Sequence, residues 1–139
     1  MVRRILAGAS AASGDVAILL THDAEMRALN RRFLGLDRPT DVLSFPAEEE
    51  AAGHLGDIAI SVEAAARQAR KAGWGTGEEV EFLVLHGMLH LLGFDHETDS
   101  GQMERQQSQW ARRFWGRRVP ESRRGPARGR SRRARRKVE

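Results

Sequence analysis

Between residues 86 and 96 the chain reads His-Gly-Met-Leu-His-Leu-Leu-Gly-Phe-Asp-His, which sets three imidazoles at intervals of four and six. On a helix, His86 and His90 stand one turn apart on a single face, close enough to share an ion. Gly93 ends such a helix and turns the chain, so that His96 returns from another direction, as a tetrahedral site requires. The chemistry this spacing points to is a catalytic zinc ion, one per chain, with His86, His90 and His96 as neutral ligands and a water in the fourth position. Val84, Leu85, Met88, Leu89, Leu91 and Leu92 surround the first two histidines. A helix that apolar is buried, and two imidazoles inside it are costly unless each is hydrogen-bonded or bound to metal.

The same spacing, with glycine three positions after the second histidine, coincides with the zinc motif of the metzincin proteases. One residue departs from it. Where those enzymes carry a glutamate as general base directly after the first histidine, this chain has Gly87, which cannot take a proton from water. The ligand set is therefore present without the protease's base, which argues against peptide hydrolysis by that mechanism. Three neutral ligands leave the metal's charge undiminished, lowering the pKa of a bound water towards ~7 and favouring an anionic phosphodiester over a peptide. Asp95, beside His96, is a candidate to orient a ligand imidazole or to act as base; the plainer reading is a turn residue bonding its own backbone.

Several elements must position these groups. Val16–Leu20 reads as a strand, and a helix capped by Thr21 or Asp23 follows, with Met26, Leu29 and Phe33 inward and Gly35 closing it. Pro39 and Pro46 bracket an edge strand. Glu48, Glu49 and Glu50 suit a solvated loop, after which Asp57–Val62 resumes a strand. Ser61 caps an alanine-rich helix over about 62–72, and Gly73 breaks it. Thr76 and Glu79 have capping-box spacing and place the start of the motif helix near Gly77, with Glu78 to Leu92 as its body. A last helix over about 100–115 is expected to bury Met103, Trp110 and Phe114. Trp74, Trp110 and Trp115 suit packing anchors better than base-stacking platforms.

Composition narrows the classes further. The chain has 139 residues, enough for one domain with a modest core, and no cysteine, which excludes disulfides and thiolate metal sites. No apolar run approaches the roughly 20 residues of a membrane span, so the expectation is a cytoplasmic protein without a membrane partner. Residues 117–139 hold 11 Lys/Arg against 2 acids, a net of +9, so that residues 1–116 carry −5 of the chain's +4. A mildly acidic body with a strongly basic tail suggests that the tail contacts polyanions, or that it is a solvated extension. The expected organisation is a domain over residues 1–118 and a disordered basic tail over 119–139, since Arg, Gly, Ser and Pro bury little apolar surface.

Leu29-Asn30, the block Pro39-Thr40-Asp41-Val42-Leu43-Ser44-Phe45-Pro46, Leu55-Gly56-Asp57-Ile58 and the histidine motif occur in that order. In this combination, from about Val16 to Trp115, the chain closely resembles the YbeY family of bacterial zinc-dependent endoribonucleases. The resemblance implies an α+β fold, a small mixed sheet flanked by helices, with zinc on the residues matching His86, His90 and His96. It also implies single-stranded RNA as substrate, with 16S rRNA 3′-end maturation, the small ribosomal subunit and its associated proteins as the setting. Some members have an arginine, thought to bind RNA phosphate, where this chain has Leu34; Arg31, Arg32 and Arg38 are the candidates to replace it. Ser44 is a candidate RNA contact, or else a plain ladder residue. Asp57, near His54, is a candidate to support the metal site or act as base, or else a strand-entry cap. Members usually have a fuller strand and helix before the Val16 strand. The alternative from another class is a ribosome assembly factor whose zinc is structural.

Overall fold

Strand-forming runs and the glycines between them set the element order in a computed structural model of the chain, which describes residues 14–48, 53–95 and 100–123. In chain order these are β1 (Asp15–Thr21), α1 (Asp23–Leu34), β2 (Val42–Pro46), β3 (His54–Ser61), α2 (Val62–Ala72), α3 (Thr76–Leu91) and α4 (Gln102–Trp115). Two short 3₁₀ turns, Gly116–Arg118 and Glu121–Arg123, follow. The strands form a mixed sheet in the order β1-β3-β2, with β1 parallel and β2 antiparallel to β3, so the α+β expectation holds. The proline-bracketed strand lies at an edge, where a residue without an N–H costs no ladder bond.

Cap chemistry explains most element ends. Ser61 Oγ accepts from the Ala64 N–H at 3.0 Å, and Gly73 closes α2 with φ 85°. Gly35 closes α1 in the same left-handed conformation. At the start of α1 the expected side-chain cap is absent. His22 occupies the capping position, Thr21 donates to Glu25, and the Asp23 carboxylate instead accepts from Ser61 Oγ and Arg67, joining the starts of α1 and α2. The expected capping pair of α3 is displaced by one residue. The Gly75 N–H donates to Glu78 Oε1 at 3.0 Å, Thr76 opens the helix, and Glu79 turns inward.

The sheet lies between α1 and α3. In β3 and β2, Ile58, Ile60, Val42 and Ser44 share one face, and Asp57, Ala59, Leu43 and Phe45 the other. The first face meets α3, whose residues from Phe82 to Leu89 are all buried. On the second face Met26 of α1 packs with Leu43 and Ala59, with Leu29, Leu34 and Phe45 against them. Leu34 thus fills apolar space. Phe33, expected inward, is 39% exposed and meets Phe45 edge-on.

The C-terminal part departs from expectation in two ways. The buried stripe of α4 is Met103, Gln107, Ala111 and Trp115, at intervals of four, whereas Trp110 and Phe114 are half-buried and stack on each other. The packed chain also continues past residue 118. Val119 is 1% exposed, and Arg123 makes a two-pronged ion pair with the fully buried Glu79, at 2.9 and 3.2 Å. Trp74 Nε1 donates to the same carboxylate at 2.8 Å, and the Arg123 guanidinium lies 5.4 Å from the Phe82 ring centre. An ion pair, and not apolar area, docks this segment, which is why composition alone marks it as unpacked. Expectations about residues 1–13, Glu49, Glu50 and the tail beyond 123 fall outside the described residues.

Candidate metal centre

Histidines one turn apart on α3 bring their ring nitrogens together. The Nε2 atoms of His86 and His90 are 3.1 Å apart, with ring centres 4.8 Å apart. Each Nδ1 is engaged on its far side. That of His90 donates to the Phe94 carbonyl at 3.1 Å, and that of His86 meets Gln107 Oε1 at 2.7 Å. Gly93 makes the first of these bonds possible: its φ of 101° turns the chain after Leu92, and the Phe94 N–H bonds back to the Leu89 carbonyl. With a proton on each Nδ1 against its oxygen, both Nε2 atoms of the neutral rings would direct lone pairs into the gap between them.

That arrangement suits a cation. Ligand nitrogens about 2.0–2.1 Å from a tetrahedral zinc are separated by about 3.3 Å, close to the 3.1 Å between these two. His86 is 2% exposed, so Gln107 at its Nδ1 and a cation at its Nε2 would satisfy groups that are otherwise costly to bury. Among the described residues no group of three potential ligands is assembled. The expected third ligand, His96, lies outside the described residues, and Asp95 sits half-buried at the edge of them.

Gly87 follows His86 on the side of the helix that faces the sheet. A Cβ there would lie 3.0 Å from Cδ1 and from Cγ2 of Ile58, and 3.1 Å from Ser44 Oγ. At the position that holds the general base in metzincins, a side chain here would therefore crowd Ile58 and Ser44. Ser44 Oγ donates to the Gly87 carbonyl at 3.2 Å and is 2% exposed. Ser44 is thus a clamp between β2 and α3 and is not presented to an RNA strand.

Asp57 is likewise placed away from the histidines. It lies on the α1 face of β3, opposite α3, and accepts from His54 Nε2 at 3.0 Å. Asp15 accepts from His54 Nδ1 at 2.6 Å, so one imidazole bridges the start of β1 to β3. The hydrogen bond to Asp15, then that to Asp57, holds the His54 pKa above its ordinary value. Arg31, Arg32 and Arg38 are exposed at the end of α1 and in the loop after it, on the other side of the sheet from α3. Arg31 lies 3.9 Å from Asp37, itself paired with Arg27, and Arg32 covers the Phe33 ring. The backbone carbonyl of Arg38 accepts from buried Asn30.

The residue that sequence reasoning missed is Gln107. A signal existed: it is the one amide in the four-residue stripe Met103, Gln107, Ala111, Trp115, and a polar group on a buried stripe needs a buried partner. Reading the stripe as Met103, Trp110 and Phe114 hid it.

A family model described as Endoribonuclease YbeY matches residues 2–114. Proteins named endoribonuclease YbeY are similar to the chain in several bacteria. That of Nautilia profundicola is 47% identical over 89 residues, covering 64% of this chain and 64% of that protein. That of Koribacter versatilis is 48% identical over 101 residues, covering 73% and 65%. The match thus spans slightly less than two thirds of either relative. That of Moorella thermoacetica is 41% identical over 126 residues, covering 79% and 81%. The solution structure of a Thermotoga maritima protein matches with a TM-score of 0.59 at 32% identity, covering 83% of this chain and 77% of that one.

Proposed function

The chain belongs to the YbeY family, and from that premise we propose that it is an endoribonuclease that hydrolyses phosphodiester bonds in single-stranded RNA at one zinc ion held by His86, His90 and His96. The observation that carries the metal reading is the pair of Nε2 atoms 3.1 Å apart, each backed by an oxygen at Nδ1. A zinc ion there would supply positive charge against the scissile phosphate and acidify a water. His86 and His90 contribute neutral lone pairs; the Phe94 carbonyl and the Gln107 amide keep the rings from turning. Asp95, one residue from His96, is the group assigned to take the proton. Gly87 sets the reaction apart from metzincin peptide hydrolysis although the ligand spacing is metzincin-like.

The proposed substrate is precursor 16S rRNA at its 3′ end, with the small ribosomal subunit and its associated proteins as partners in the cytoplasm. No helix among the described residues is long and apolar enough to cross a membrane. The test is metal analysis with cleavage mapping on a 16S precursor, wild type beside His90→Ala. The expected result is about one zinc per wild-type chain, with loss of zinc and cleavage in a folded His90→Ala. A zinc-loaded wild type that binds the small subunit and never cuts single-stranded RNA would refute the nuclease and leave an assembly factor with a structural metal.

A further inference from the structure

We propose that Gln107 is a positioning residue of the metal site, acting through His86: its amide oxygen holds the His86 proton on Nδ1, so that Nε2 faces His90 as a lone pair. The proposal rests on the zinc reading above and extends the site to α4, 21 residues along the chain. His86 and Gln107 are 2% and 5% exposed, and their contact of 2.7 Å is shorter than a typical N–H···O bond of about 2.9–3.0 Å.

The chemistry of the four groups gives this contact its weight. His90 has no choice of tautomer, because its Nδ1 faces a backbone carbonyl that only accepts. In the neutral ring, the form that can ligate a metal, its Nε2 is therefore an acceptor. His86 has a choice, because an amide side chain can offer either oxygen or NH₂. If the NH₂ of Gln107 faced Nδ1, the His86 proton would sit on Nε2 and bond to His90 across the 3.1 Å gap. That hydrogen bond would close the place where an ion must sit. With the amide oxygen on Nδ1, the Nε2 lone pairs of both neutral rings point into the gap, as two ligands of one ion require. The orientation of one amide thus decides between a closed histidine pair and a ligand pair.

Glutamate at position 107 can only accept when ionised, and methionine is of similar length without an amide. Zinc affinity is read by competition with a chromophoric chelator, folding by circular dichroism, and the His86 proton by long-range ¹H–¹⁵N correlation. Gln107→Met is expected to bind zinc about 10- to 100-fold more weakly while folded, as the loss of a ligand's hydrogen-bond partner does. Gln107→Glu is expected to bind at least as tightly as wild type, with the His86 proton on Nδ1. Gln107→Met within threefold of wild type, or a folded Gln107→Glu more than tenfold weaker, would overturn the role of Gln107 and leave the zinc site standing. A wild-type chain that takes up no zinc would instead overturn the metal reading and this proposal with it.

Discussion

Arg123→Ala should destabilise the whole domain, although the residue lies beyond the part of the chain matched by the family model. Its guanidinium contacts both oxygens of Glu79, a carboxylate that is 0% exposed and otherwise has Trp74 Nε1 as its donor. Removing one member of a buried ion pair costs about 3–5 kcal/mol, because the other charge stays buried without compensation. The Arg123 side chain keeps 11% exposure, so water reaches the pair and the lower end, about 3 kcal/mol, is the appropriate figure. At about 4 °C per kcal/mol for a domain of this size, the midpoint of thermal unfolding should fall by about 12 °C. The double variant Glu79→Gln, Arg123→Met removes the unpaired charge and should lose less than Arg123→Ala alone. Urea unfolding of the full chain, wild type with each single variant and the double and with zinc held constant, gives the coupling directly. Arg123→Ala within about 0.5 kcal/mol of wild type would mean that the terminal segment does not dock on Glu79, and the reasoning would fail.

Three further outcomes follow from local geometry. Gly56→Ala should cost about 3 kcal/mol or more by chemical denaturation, since a Cβ there would lie 2.5 Å from the Phe45 carbonyl oxygen and 2.7 Å from Leu91 Cδ2, at a φ of +154°; a neutral effect would mean that β2 and β3 approach less closely. His54 has a folded pKa raised above 6.5 by Asp15 and Asp57, so its stabilisation is fully present below the unfolded pKa and is lost as pH rises through the folded one. Stability curves of wild type and His54→Gln should therefore converge above that range and separate below about pH 6; parallel curves would exclude the bridge in solution. Deleting residues 124–139, which carry eight Lys/Arg, should weaken RNA binding and reduce its salt slope by about 3 if half of those cations meet phosphate, with zinc content unchanged, whereas an identical slope would exclude the tail from the RNA contact. The cut belongs after Arg123 because an earlier one also removes the partner of Glu79.

What was legible in the sequence is what depends on near neighbours. The limits of α2 follow from Ser61 and Gly73, and the turn below His90 from Gly93, because a cap is settled within a few residues. The pairing of His86 with His90 is one helical turn and needs no further information. Asp57 was not legible because Ile58, Ala59, Ile60 and Ser61 are all buried, so β3 lacks the alternation that would reveal which face looks at α3. Ser44 failed for a related reason: an edge strand was rightly expected, but its buried face belongs to α3. Glu79 and Arg123 are 44 residues apart, and no local pattern connects them. The charge run at the C-terminus concealed one arginine with a buried partner among many without a described one.

Gly87 joins the two kinds of information. In sequence it is a missing base, and it moves the histidine motif away from peptide hydrolysis. In the fold it seats α3 against the sheet, where a Cβ would lie 3.0 Å from Ile58, and Ser44 is bonded to its carbonyl. A glutamate at this position would press its Cβ on Ile58 and on Ser44 Oγ, so the seating of the helix disfavours a side chain here. His86, the next residue back, instead turns to Gln107 of α4. In the proposed reaction the proton acceptor therefore comes from elsewhere than position 87, and Asp95, on the turn that Gly93 makes, is one of the two carboxylates, with Glu97, that flank His96 in sequence.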